Sequence, residues 1–188
     1  DHLDPWTLEA YREAGGSAPV AVPAPEAHRL DGLAKPVPAR AEQPFRIGSL
    51  TVTPIPCAHT QLQTDGEGRF YHLSYLIQGN GDCLFFGGDM SLYDGLVERL
   101  RQARCRLLLL PCNGRDADRT ARGIIGNITA AEAAWFSRET GAEGFVPMHH
   151  DLYAINGCPV AEIEAAARAE GVRVRPLPPM GSLDWASL

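Results

Sequence analysis

Apolar and polar positions along the chain change rhythm about halfway. Apolar stretches at 45–47 and 50–55 flank Gly48-Ser49, which predicts a hairpin. A second pair, 71–78 and 83–86, flanks Gly79-Asn80-Gly81-Asp82, a turn whose centre tolerates positive φ. From there the spacing becomes helical. Leu92, Leu96, Val97 and Leu100 predict a helix over 91–103. The run 107–110 is continuously apolar, as a strand covered on both faces must be. Thr129 and Glu132 form a capping-box pattern for a helix reaching Thr140 and stopped by Gly141. Then come a buried strand at 144–146, a helix from Pro159 to Glu170 ended by Gly171, and a last strand at 172–175. At the other end, Asp4-Pro5 starts a helix stopped by Gly15-Gly16, and 20–22 and 25–30 suggest a short strand and a brief helix. Residues 31–44, rich in proline and alanine, read as a surface connection; 60–69 and 113–126 read as loops. Hairpins followed by alternating strands and helices imply an α/β fold, a mixed sheet with flanking helices. We expect a single domain over 1–188, with 176–188 as a proline-rich tail carrying Trp185.

Chemistry gathers where these strands end. Pro147-Met148-His149-His150-Asp151 follows one apolar run, Gly87-Gly88-Asp89 another and Cys57-Ala58-His59 a third; the chain opens on Asp1-His2. Strand C-termini are where open α/β sheets keep their ligands. Each residue has a plainer alternative. The histidine pair can be a hydrogen-bonded structural couple, His59 a satisfied core histidine, and Asp89 a turn residue. Their shared placement is the stronger signal, because aspartate and neutral histidine are the usual ligands of zinc, manganese and iron.

Composition narrows the partners. At 188 residues and 45% hydrophobic the chain can bury a core. A net charge of −6 argues against a nucleic-acid partner held by bulk electrostatics. No run suits a membrane span or signal peptide. Lys35 is the sole lysine, a bias toward arginine that codon usage explains without function. Cys57, Cys83, Cys105, Cys112 and Cys158 are odd in number, lie mostly in apolar runs and form no CxxC. Buried free thiols in a cytoplasmic protein fit that better than disulfides or a zinc ribbon.

Asp1-His2-Leu3-Asp4-Pro5 resembles the second half of the HxHxDH motif of metallo-β-lactamase-fold hydrolases. Cys57-Ala58-His59-Thr60, Gly87-Gly88-Asp89 and Pro147-Met148-His149 resemble that family's later ligand motifs, in order. Asn113-Gly114-Arg115-Asp116, with Arg119, Arg122 and Gly123-Ile124-Ile125-Gly126-Asn127, is similar to the branch containing L-ascorbate-6-phosphate lactonase. The resemblance implies the C-terminal portion of an αββα sandwich, with Asp1, His2, His59, Asp89 and His149 as metal ligands. Two further histidines belong upstream of Asp1, so it also implies a piece of a longer protein, with core surface exposed. The intact protein would hold two divalent ions, Zn or Mn, and this piece one or none.

The function implied is opening of the lactone ring of a phosphorylated sugar acid by a metal-held hydroxide. Asp89 would bridge and orient, while His150 would donate a proton, contact substrate or support a ligand. Asn113, Arg115, Arg119 and Arg122 are the candidate substrate contacts, since guanidinium forks match phosphate oxygens. The plain alternative is a solvated loop with arginines paired to Asp116 and Asp118. A phosphodiesterase or nuclease on the same scaffold, and a non-catalytic fragment, are the competing readings. The partner is a small, phosphorylated molecule, with no membrane; a homo-oligomer is left open.

Overall fold

A computed structural model of the chain describes residues 3–184. Helix α1 (Pro5–Glu13) begins as its cap dictates, with the Asp4 carboxylate accepting from the backbone N–H of Trp6 and Thr7. Strands β1 (Val20–Pro23) and β2 (Pro36–Ala39) pair in parallel around a 3-10 turn at Ala24–Leu30. The surface connection expected at 31–44 thus contains a short strand, β2, that its composition did not predict. The two prolines of that strand cannot donate ladder bonds, but a two-stranded edge leaves one side of each strand free of that demand.

The main sheet has seven strands in sequence order: β3 (Phe45–Ile47), β4 (Leu50–Pro56), β5 (Leu73–Gly79), β6 (Asp82–Phe86), β7 (Leu107–Pro111), β8 (Gly144–Met148) and β9 (Arg173–Val174). Both expected hairpins form. In the second, Asn80 and Gly81 take φ of 53° and 86°, as a tight two-residue turn between twisted strands requires. From β3 to β6 the pairing is antiparallel, and from β6 to β9 it is parallel. β4 therefore runs in the same direction as β6, β7 and β8, and all four deliver their C-terminal ends to one edge. That topology is what assembles the site.

Helices α2 (Leu96–Ala103), α4 (Ala130–Thr140) and α5 (Val160–Glu170) pack together, with α4 lying on β7 and β8. The core between them holds Phe85, Leu100, Leu108, Leu110, Phe136 and Phe145, all fully buried. Phe85 and Phe136 meet edge to face at 6.3 Å. The capping box of α4 is complete: Thr129 accepts from the Glu132 N–H and Glu132 from the Thr129 N–H.

Two further expectations need correction. Residues 91–95 are not helical. Gly95 caps α2 with φ of 89°, Ser91 donates its N–H to Ala58, and the Tyr93 hydroxyl reaches Pro56 O at 2.7 Å. Leu92 faces the core without being in the helix, so the apolar spacing overran its start. The loop over 113–126 contains a short helix, α3 (Ala117–Ala121), nucleated by Asp116 as its cap. No helix among the described residues is long and apolar enough to cross a membrane.

Candidate metal centre

Each arm of the site leaves its strand through a locally forced turn. After β6, Gly87 donates to Leu109 O at 2.9 Å, and a Cβ there would sit 2.7 Å from Met90 Sδ. A side chain at Gly87 would have to displace Met90 and crowd Leu109 O, and Gly88 follows at φ of 66°, where glycine is favoured. The turn lifts Asp89 over the sheet edge. After β8, His149 itself adopts φ of 56°, a left-handed conformation disfavoured for a residue with a Cβ and concentrated at functional sites. After β4, Cys57 and Ala58 are buried and His59 follows. The Ser91 hydroxyl donates to His59 O at 2.8 Å and pins that loop to the one carrying Asp89.

Asp89 stands between two imidazoles. His59 Nε2 lies 3.8 Å from its Oδ2, and His149 Nε2 lies 3.5 Å from its Oδ1. Each ring faces a different carboxylate oxygen, the arrangement of a carboxylate shared between two neighbouring sites. His59 Nε2 is buried without a hydrogen-bond partner among the described residues. An imidazole nitrogen so placed beside a carboxylate suits a cation. Among the described residues no three His, Cys, Asp or Glu side chains converge on a single point. That follows from the geometry, which gives two half-sites, each with one imidazole and one carboxylate oxygen. Asp1 and His2, the remaining expected ligands, lie outside the described residues.

The surroundings hold these groups in place. The Cys57 thiol donates to Asp89 O at 3.1 Å. Burial, with the nearby Asp89 charge, pushes that thiol up to about 11 despite a hydrogen bond with Ser74, so it acts as a neutral donor. The Ser74 hydroxyl donates to Gly87 O at 2.7 Å. His72, entering β5 at the same edge, meets His59 edge to face at 5.8 Å, and burial followed by His59 lowers its pKa. His150 is buried, and its Nδ1 has no partner among the described residues.

A chain of amides runs from the carboxylate outward. Asn127 Nδ2 donates to Asp89 Oδ1 at 2.8 Å and to Asn113 Oδ1 at 2.9 Å. Asn113 Nδ2 donates to Asn156 Oδ1 at 3.0 Å, and Arg119 Nη1 reaches the same oxygen at 3.2 Å. Asn113 and Asn127 are both 1% exposed. Their two segments approach so closely that a Cβ on Gly126 would collide with Gly114 O. Asn127 and Asn156 are functional candidates that the sequence reading passed over. Asn127 lay inside a quoted motif without an assigned role, and Asn156 carried no signal.

The arginines separate. Arg115 grips Glu132 through two bonds of 2.7 and 2.6 Å and donates to Asn127 O. Arg119 bonds Asp116, Asn113 O and Asn156. Arg119 and exposed Arg122 line an open cavity of about 310 Å³ with Asp116, Asp118, Ile155 and Gly157.

Residues 1–150 match the family model described as the beta-lactamase superfamily domain. Among solved structures, the fold is similar to that of Igni18, a metallo hydrolase from the archaeon Ignicoccus hospitalis. The TM-score is 0.71 at 16% identity, covering 94% of this chain and 71% of that one. It is also similar to YhfI, a metallo-beta-lactamase fold protein from Bacillus subtilis, with TM-score 0.70 at 16% identity, covering 95% and 68%. A third similar structure is CmlA, a diiron beta-hydroxylase from Streptomyces venezuelae, with TM-score 0.60 at 13% identity, covering 86% and 38%. No curated protein is similar enough in sequence to count as a relative. At such identities the likeness carries the fold and leaves the reaction open, since hydrolase and hydroxylase share it. With a family match over most of its length and a mixed sheet whose strand ends gather His59, Asp89 and His149, the chain belongs to the beta-lactamase superfamily, with its metallo-β-lactamase fold.

Proposed function

We propose that the protein is a metal-dependent hydrolase of a small phosphorylated substrate, opening a sugar-acid lactone of the L-ascorbate 6-phosphate type. The observation that carries this reading is the Asp89 carboxylate between His59 and His149, one imidazole per oxygen. Asp89, with His59 on one side and His149 on the other, would hold divalent cations, zinc or manganese, and Asp1 and His2 would be the further ligands on the His149 side. Cations bound there lower the pKa of water towards ~7 and polarise the scissile carbonyl. Asn127 holds Oδ1 of Asp89 from the outer side, and Cys57 holds its backbone carbonyl. His150, buried beside His149, is the proposed proton donor to the leaving oxygen.

Arg122 and Arg119 are the proposed grip on the phosphate. The cavity they line is joined to Asp89 through Asn156, Asn113 and Asn127, so the anionic end of a substrate and its reacting carbonyl would be held by one connected framework. Arg119 is already paired with Asp116, which leaves Arg122 the larger share. Arg115 contributes indirectly, by fixing Asn127 O against the start of α4.

The test uses zinc- or manganese-loaded protein with a phosphorylated lactone, its unphosphorylated analogue and a chromogenic phosphodiester. We expect lactone hydrolysis, and Arg122→Ala should raise KM for the phosphorylated lactone well above its effect on the analogue. Equal effects on both would remove the phosphate grip. Turnover of the phosphodiester alone would replace the reaction class.

A further inference from the structure

Cys83 and Cys105 lie at the opposite edge of the sheet from Asp89, where β6 and β7 begin. Their sulfurs are 2.9 Å apart, closer than two sulfurs pack without a bond or hydrogen bond between them. The backbone is already in register for a closer approach. Arg106 donates its N–H to Cys83 O at 2.8 Å, and the parallel ladder continues from Leu84 opposite Leu107. Cys83 lies in β6 and Cys105 two residues before β7, so the start of the ladder holds the two sulfurs side by side, as a disulfide needs. Cys57 and Cys112 direct their thiols at backbone carbonyls, 3.1 and 3.5 Å away, whereas the carbonyl nearest Cys83 Sγ, Leu84 O, is 3.9 Å away and the Cys105 sulfur is closer.

We propose that Cys83 and Cys105 are a modification site, oxidised by peroxide to an intramolecular disulfide. The two thiols are electrostatically unequal. The hydrogen bond shared between the two sulfurs, helped by Arg99, lowers the Cys83 pKa against the effect of burial, and the same bond together with burial raises that of Cys105. Cys83 is therefore the attacking thiolate. It displaces hydroxide from the peroxide O–O bond and becomes a sulfenic acid, and the Cys105 proton neutralises that hydroxide to water. The Cys105 thiolate then attacks the Cys83 sulfur and expels its hydroxyl, which leaves as a second water after protonation by solvent. Two thiols lose two electrons and one peroxide gains them. Both sulfurs are buried, but Cys105, whose sulfur is 2.9 Å from that of Cys83, lines a cavity of about 390 Å³ with Arg101, Arg104, Arg138 and Glu139, which brings a small oxidant to the edge of the pair. The closed loop would span positions 83–105 and so contain Asp89.

The experiment exposes the native protein to hydrogen peroxide, denatures it, alkylates free thiols and maps peptides by mass spectrometry. We expect two of the five cysteines to resist alkylation, linked as Cys83–Cys105, and a thiol reductant to restore both. In Cys105→Ser, whose hydroxyl can still donate to the Cys83 sulfur but cannot close a disulfide, dimedone should trap a sulfenic acid at Cys83. Five alkylated thiols after peroxide would overturn the proposal. So would links that involve Cys57, Cys112, Cys158 or a second chain, or a Cys83→Ala variant that consumes peroxide at Cys105 as fast as the unsubstituted protein.

Discussion

Asn127→Ala probes the framework behind the candidate centre. The Asn127 side-chain amide makes two bonds, one to the Asp89 carboxylate and one to the buried amide oxygen of Asn113. Loss of a bond to a charged acceptor costs about 1.5–3 kcal/mol, and a buried acceptor left unsatisfied costs about 1–3. The methyl group that remains cannot replace either, but Asn127 Oδ1, buried without a hydrogen-bond partner among the described residues, goes with it and offsets part of the loss, so we expect the metal-free protein to lose about 2–4 kcal/mol, read from urea unfolding in the presence of a chelator. Asp89 would also lose the donor that fixes its Oδ1, and supporting bonds of that kind are worth about 10–100-fold in metal affinity. Zinc titration by calorimetry should record that drop, about 1.4–2.7 kcal/mol. A loss of stability below about 1 kcal/mol, with zinc affinity unchanged, would refute the claim that the amide chain positions the carboxylate.

Other expectations follow from particular contacts. Phe136→Ala removes a fully buried ring packed on Phe85 and should cost about 3–5 kcal/mol in chemical denaturation; a cost below about 1 would contradict the packing. Thr129→Ala breaks the α4 capping box and should cost about 1 kcal/mol, read the same way. Burial alone would raise the Glu132 pKa, but bonds from Arg115 and Thr129 outweigh it and hold the carboxyl below its ordinary 4.5. A folded value below the unfolded one means this stabilisation is present above pH 4.5 and is lost as pH falls through the lower folded value. Thermal melts from neutral pH downward should therefore show a shallower acid decline for Glu132→Gln than for the unsubstituted protein; parallel declines would dismiss the linkage.

What could be read from the sequence was local. Cys57 to His59, Gly87 to Asp89 and Pro147 to His149 announce themselves because an apolar run, a turn residue and a ligand-type side chain stand side by side. The hairpin at Asn80-Gly81 and the caps at Asp4 and Thr129 are local in the same sense. The misses have two causes. Local spacing misled at Leu92, where an apolar residue packs on the core from outside the helix, and at 36–39, where prolines disguised an edge strand. Distance hid the rest. Asn127 meets Asp89 across 38 positions, Asn113 meets Asn156 across 43 and Cys83 meets Cys105 across 22, and nothing in the intervening sequence encodes those pairings. The arginines illustrate a third limit. Their density in one loop was visible, but only the folded chain separates Arg115, spent on Glu132, from Arg122 beside the cavity.

The central claim is that Asp89 is shared between two metal half-sites, one facing His59 and one facing His149. Zinc content per chain, measured after equilibrium dialysis of the unsubstituted protein and of His59→Ala, His149→Ala and Asp89→Asn, tests it most directly. His149→Ala should lose the tighter half-site, His59→Ala should keep it and lose only the weaker binding on the other side, and Asp89→Asn should weaken both. Unchanged zinc in Asp89→Asn, or identical profiles for the two histidine variants, would contradict a shared carboxylate.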